Sequence, residues 1–345
     1  FVVMIMVMGG LNSNTLSIRY IANKSDAALS LILVAAGQTL VLLTGGFDLS
    51  VGGVICITNC LAASRMQNSV GSMLIWAVIC LAVGVGIGAL NGFVIEKTKM
   101  QPFIVTLATQ YVCYGIALLI MKVDGGNVPA AYISTLLHRF GPLPLSMFII
   151  AALALVWMFF KNTKKGFSIY AIGSNESAAR LNGISIMKTK ILAYGLSGAF
   201  AALAGLFRTA QVASGSPTAG ADFVMISISA AVIGGTALSG GSGGMIGTIH
   251  FGFMVSIIAS LGIFHPYALG MSSGVGAGIM MASATAVLTE IYPAMADQIS
   301  ALASASETIS GIDGIYMAIF IGIPLCNWLY DRLEPVLGHL GHKKQ

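Results

Sequence analysis

Two stretches carry the residue types that could do chemistry. In "LLTGGFDLSVGGVICITNC" (42–60) the carboxylate of Asp48 stands in an apolar run between the pairs Gly45–Gly46 and Gly52–Gly53. In "GSNESAARLNGI" (173–184) Glu176 precedes Arg180 by one helical turn. An acid at membrane depth is costly and marks a pathway, an ion-coupling site or a capped helix end. An acid–base pair at i, i+4 supports a short helix. Other chemistry has no footing in the sequence. No GxxxxGK[ST] phosphate loop occurs, and the glycines at 240–244 lead to Met245 with no lysine behind them, so the chain is not expected to hydrolyse ATP. His138, His250, His265, His339 and His342 show no metal-ligand spacing, and no nucleophile arrangement is legible. Neither an enzyme nor a resident metal or cofactor is expected.

The elements that must position these residues follow from composition. Of 345 residues 57% are hydrophobic and only 8% charged. Soluble domains carry roughly 25% charged residues, which excludes a water-soluble globule. Apolar runs recur at 1–10, 27–44, 51–64, 71–95, 103–121, 143–160, 191–210, 222–238, 244–262, 271–289 and 315–331. Most are near the length that crosses about 30 Å of hydrocarbon, and the short alternating segments of a β-barrel are missing. The fold class expected is all-α, a polytopic transmembrane helical bundle of about ten spans. The net charge of +5 comes from basic residues beside the spans, which points to membrane topology and not to nucleic acid. Cys56, Cys60, Cys80, Cys113 and Cys326 have no CxxC pairing and read as small buried hydrophobes.

The loops orient the chain. Segment 161–190 carries Lys161, Lys164, Lys165, Arg180, Lys188 and Lys190 against the single acid Glu176, which assigns it to the cytoplasm. Counting back, 122–142 falls outside and "EKTKMQ" (96–101) inside, with the N-terminus inside. The chain opens at Phe1 in apolar sequence, so residues are expected to precede it.

Spans 27–44 and 51–64 are both read as short for a full crossing, interrupted at "TGGFDLS". Non-helical backbone at that depth survives where protein or a water-filled cavity satisfies it. Asp48 is expected to cap the following helix through backbone amides, or to act directly in the pathway or its gating. "GGFDLSVGG" (45–53) and "GGTALSGGSGG" (234–244) share GGxxLSxG, which suggests two related halves meeting at a central route. Gly45, Gly46, Asp48, Ser50, Asn91, Gly234, Gly235 and Ser239 are therefore candidates for the pathway or its gate. In the cytoplasmic unit, Ser174 or Asn175 supplies an N-cap, Glu176 suits the first turn, and Gly183 ends the helix. A capped two-turn helix of this kind can dock into a groove on another protein.

Four segments, "GGFDLSVGGV", "ALNGFVIEKTKMQPFIVTLAT", "GFSIYAIGSNESAARLNGISI" and "VIGGTALSGGSGGMIGT", resemble successive signatures of the ribose-type permeases of bacterial ABC importers, in family order, from about residue 30 to 250. The resemblance implies a multi-pass subunit of the bacterial inner membrane, about ten helices long, working as a homo- or heterodimer. It implies an ABC ATPase carrying ATP and Mg, and a periplasmic or lipoprotein sugar-binding protein. It makes 173–184 the coupling helix to that ATPase, with Ser174, Asn175, Glu176, Ala178, Ala179, Arg180 and Gly183 as its residues. "ALNG" and "QPFIVTL" flank the other inner loop, with Asn91 and Pro102 read at helix ends. On this division 1–250 is the permease domain, with its coupling loop at 161–190, and 251–345 a set of membrane segments atypical of the family. The alternatives are an ion-coupled carrier using Asp48, Asp222 or Glu290, and an ABC permease for nucleosides or branched-chain amino acids.

Overall fold

The computed structural model describes residues 18–259. The expected spans at 1–10, 271–289 and 315–331, with Glu290, Cys326, His265, His339 and His342, lie outside the described residues. Within them the chain forms eleven α-helices: α1 (Ile18–Leu43), α2 (Val51–Arg65), α3 (Val70–Thr98), α4 (Pro102–Ile120), α5 (Ala130–Leu136), α6 (Leu145–Phe160), α7 (Lys164–Ser174), α8 (Glu176–Leu181), α9 (Ile186–Val212), α10 (Phe223–Ile233) and α11 (Met245–Ala259). A two-residue antiparallel ribbon, β1 (Arg139–Phe140) with β2 (Leu143–Pro144), precedes α6. The protein is an all-α membrane bundle. Four helices are long and apolar enough to cross a bilayer: the Asn23–Leu43 part of α1, then α3, α4 and α9. The pair α6–α7, bent by 77°, makes a fifth candidate.

Helix α1 corrects one expectation. It runs for 26 residues and needs no second segment to complete a crossing. Only α2, at 15 residues, is short. The sequence reading missed the first turns of α1 because Arg19, Lys24 and Asp26 break the hydropathy there while the backbone stays helical. Similarly, the run 222–238 yields a helix that stops at Ile233, where Gly234 and Gly235 begin a turn.

The core is built on α9, which packs on α3, α1 and α2. Its contact with α3 is backbone on backbone. A Cβ on Gly88 would strike the Tyr194 carbonyl, and one on Gly198 would strike the Gly84 carbonyl. In lipid, where apolar burial gives little drive to helix pairing, such close packing of small residues supplies the contact energy. Gly88→Leu should therefore destabilise the bundle by about 1–3 kcal/mol through overpacking, read as lost yield of monodisperse protein in detergent. By contrast, α3 and α4 turn Leu74, Ile75, Val78, Val112 and Leu119 outward, as helices facing lipid or another membrane helix do. Among the described residues, Cys56, Cys60, Cys80 and Cys113 are buried free thiols, as their apolar settings suggest.

Candidate functional site

The chain leaves α1 at Leu43 and enters α2 at Val51 through a turn that Gly45 makes possible at φ +76°, a conformation other residues rarely adopt. Asp48 closes this turn and is fully buried. Its Oδ1 accepts from the backbone N–H of Ser50 (3.1 Å) and from the Ser50 hydroxyl (2.6 Å). Its Oδ2 accepts from the hydroxyl of Ser197 on α9 (2.8 Å). The expected cap on α2 is thus made only in part, through the one backbone N–H of Ser50. The N-cap position belongs to Ser50, which makes no side-chain cap bond, and Asp48 ties the turn to α9. The chain of bonds continues outward. Asn91 donates from Nδ2 to Ser50 Oγ (2.9 Å), and Thr109 of α4 donates to Asn91 Oδ1 (2.7 Å). Asn91 therefore lies inside α3, buried, and not at a helix end. Pro102 does start its helix, at the first position of α4. One buried acid, through short-range polar contacts, holds the α1–α2 turn against α3, α4 and α9.

The second glycine stretch meets the first directly. The N–H of Gly241 donates to the Leu43 carbonyl (3.0 Å), and Gly240 lies so close to Gly45 that a Cβ would come within 2.7 Å of its nitrogen. The Ser239 carbonyl faces Gly45 at 3.5 Å from the same hypothetical atom. Gly234 ends α10 and packs on Gly247 of α11, while Gly235 adopts φ +97°. Gly173 and Ser174 press on Gly241, so three turns share one end of the bundle.

That end also carries the short helix. Asn175 caps α8, its Oδ1 accepting from Ala178 N–H at 2.9 Å. Ser174 is no cap: it is the last residue of α7, so the unit read as 173–184 is divided between two helices. At the other end Gly183 N–H donates to Arg180 O and Ile184 N–H to Ala179 O, both at 3.0 Å, with Gly183 at φ +79°. This double bond pattern is a Schellman stop. Ala179 is buried against Ile172 and Ile186, which seats the helix on α7 and the start of α9.

Glu176 and Arg180 form the anticipated i, i+4 pair at 3.3 Å. They also join a larger cluster. Lys190 of α9 donates to Glu176 Oε2 and to Glu96 Oε2, each at 2.9 Å. Lys99 pairs with Glu96, and Arg180 reaches Glu96 at 3.5 Å. Glu96 is 7% exposed and Lys190 14%, so these two form the shielded centre, whereas Lys99 and Arg180 are more than half exposed and strongly screened. Sequence reasoning used Glu96, Lys99 and Lys190 only as loop charges. Their pairing joins residues 94 positions apart, which no local pattern reports. Between cluster and turn lies a cavity of about 280 Å³, lined by Thr44, Gly45, Gly46, Tyr194, Lys190, Glu176, Ile95, Lys99, Met100 and Pro102. No group of three or more possible metal ligands occurs among the described residues.

Comparisons with known proteins agree with the motif reading. The family described as "Branched-chain amino acid transport system / permease component" matches residues 20–284, beyond the last of the four motifs. The chain is 34% identical over 276 residues to the ribose import permease protein RbsC of Escherichia coli K12, which covers 77% of this chain and 85% of that relative. It is 36% identical over 224 residues to the Bacillus subtilis protein of the same name, covering 63% and 68%. To the fructose import permease protein FruG of Bifidobacterium longum it is 32% identical over 274 residues, covering 76% and 80%. No solved structure matches. With most of its length matched, the chain belongs to this family of transport-system permease components, as its resemblance to ribose-type permeases implied.

Proposed function

We propose that the chain is the membrane-spanning subunit of an ABC importer that moves a small sugar of the ribose or fructose type across the inner membrane, driven by ATP hydrolysis on partner subunits. The sugar follows from the names of the relatives, which are import permeases for ribose and for fructose. On this reading the full subunit has about ten spans and pairs with a second permease. Its α8, with the flanking Ser174, Asn175 and Gly183, docks on the ATPase, and an external sugar-binding protein delivers the solute. The mechanism is carried by one observation. The capped helix α8 is bolted through Lys190 and Glu96 to α9 and α3, next to the Gly45–Gly46 turn. Movement of α8 by a nucleotide-driven partner is thereby passed to the ends of two long helices and to the break between α1 and α2. Gly45, Gly46, Asp48, Ser50, Asn91, Gly234, Gly235 and Ser239 are the parts of this joint that change shape.

Asp48 is a poor ion-coupling group, because three hydrogen bonds already occupy it. Branched-chain amino acids are the second reading of the solute, favoured by the description of the matching family. Vesicles holding the permease, its ATPase and its binding protein test both readings. With proton and sodium gradients collapsed, ATP should drive accumulation of ribose or fructose and not of leucine. Uptake that needs a gradient and ignores ATP would defeat the proposal.

A further inference from the structure

Between α9 and α10 the chain is not helical, and residues 213–222 run beside α2 in extended and turn conformation. Asn59, nearly fully buried, supports this strap: it donates to the Ser214 carbonyl (3.2 Å) and accepts from Ser216 N–H (2.6 Å). Further along, Gly220 N–H points at Cys56 Sγ (3.2 Å), and Gly220 lies in backbone contact with Gly52 in the first turn of α2. Irregular backbone inside a membrane bundle is tolerated where it is enclosed by protein or lines a cavity, and transporter sites are commonly built where helices are interrupted.

Helix α4 brings a polar pair to the same place. Gln110, 2% exposed, donates from Nε2 to the hydroxyl of Tyr114 (2.8 Å), while its buried Oε1 has no partner. The Tyr114 hydroxyl and the Gly220 carbonyl each lie 2.9 Å from where a Cβ on Gly52 would sit, and the backbone carbonyl of Gln110 is equally close to one on Gly53, which sets α4 directly against the first turn of α2. A buried acceptor without a donor loses about 1–3 kcal/mol of hydration, a cost that a visiting hydroxyl would remove. Tyr111, half exposed, stands edge-on to Tyr114 at 6.3 Å and offers an aromatic face beside the pair.

We infer that Gln110 and Tyr114, facing the first turn of α2 and the Gly220 carbonyl, form a subsite that binds solute hydroxyls at the closed constriction of the translocation route. The amide oxygen accepts from a sugar hydroxyl, the phenol gives or takes a second bond, and the N-terminal dipole of α2 favours the sugar oxygens. The set carries no formal charge, which suits a neutral polyol over an ion. The passage is shut in this conformation, because Gly52 and Gly220 touch. It opens when α4 and the strap part from α2.

This inference rests on the sugar-import reading, and one experiment separates the two. Vesicles with ATPase and binding protein are supplied with labelled ribose and, separately, labelled fructose, and uptake is scored per ATP hydrolysed. For whichever sugar the wild type accumulates, Gln110→Leu should lower that ratio about tenfold or more, the loss of one hydrogen bond made to the passing solute. Gln110→Glu, which keeps an acceptor, should fall less. Tyr114→Phe removes a single oxygen from a part-exposed side chain and carries the same test should Gln110→Leu fail to fold. Wild-type uptake per ATP in both Gln110→Leu and Tyr114→Phe would overturn the subsite and leave the function standing. A wild type that accumulates neither sugar would instead remove the functional reading on which the subsite depends.

Discussion

Vesicles carrying Lys190→Met should hydrolyse ATP in response to loaded binding protein yet accumulate solute about tenfold more slowly or worse, the effect of removing a coupling free energy of about 1–3 kcal/mol. Lys190 bonds the carboxylates of both α8 and α3 from α9 at 2.9 Å, whereas Arg180 and Lys99, which also reach both, are exposed and do so from α8 itself and from the end of α3. Methionine keeps the length of the stem and removes the charge. Breaking a buried pair costs about 3–5 kcal/mol when it strands a charge. Here Lys99 stays on Glu96, so the stability loss should fall at the lower end of that range. The mechanical loss is larger, because Lys99 is exposed on the end of α3's own turn and cannot carry force into α9. Hydrolysis and uptake measured on the same vesicles decide the matter. Equal losses in both, or no loss in either, would show that α8 moves the bundle by some other contact. Glu176→Gln in the Lys190→Met background should add little, since both changes sever the link from α8 to α9 and the other partners of Glu176, Arg180 and Lys99, are exposed.

Asp48→Ala should be worse. Ser50 and Ser197 would lose their common acceptor in a site closed to water, and each charge-assisted bond is worth about 1.5–3 kcal/mol. The α1–α2 turn then loses its tie to α9, and through Ser50 the contact with Asn91 and Thr109 loosens as well. Most of the protein should fail to reach the membrane in folded form, judged by size-exclusion profile after extraction, and the remainder should transport weakly. Asp48→Asn distinguishes structure from ion coupling. The amide oxygen still accepts from both Ser50 donors, and its NH₂ can donate to the Ser197 oxygen, so ATP-driven uptake should survive within a few fold. An ion-coupled carrier that needed the negative charge would lose all uptake on the same change.

Much of this was legible in the chain. Hydropathy found α3, α4, α6 and α9 within a few residues, because a helix that must satisfy its own backbone in lipid has few other forms. The short capped helix was equally plain, since Asn175, Glu176, Arg180 and Gly183 act within one short helix and its ends. Asp48 was read as a cap through backbone amides, and it does accept one, from Ser50, but its tie to another helix was not read. Its dominant bond beyond the turn reaches Ser197, 149 residues away, and the residue type alone does not tell a cap from a tether. Asn91 was misplaced for the same reason, since a polar residue near a loop looks like a helix end until its neighbours are known.

The amino-acid order by itself determined the class of molecule, the breaks at glycine pairs and the local helix signals. These depend on transfer energies and on interactions within a few residues. Only the tertiary structure decided that the two glycine turns touch, that Lys190 bridges Glu96 and Glu176, and that Gln110 is left with an unanswered oxygen beside α2. Those facts arise where distant helices pack backbone to backbone, and the partner a buried polar atom finds is set by that packing and by nothing in its own neighbourhood of the chain.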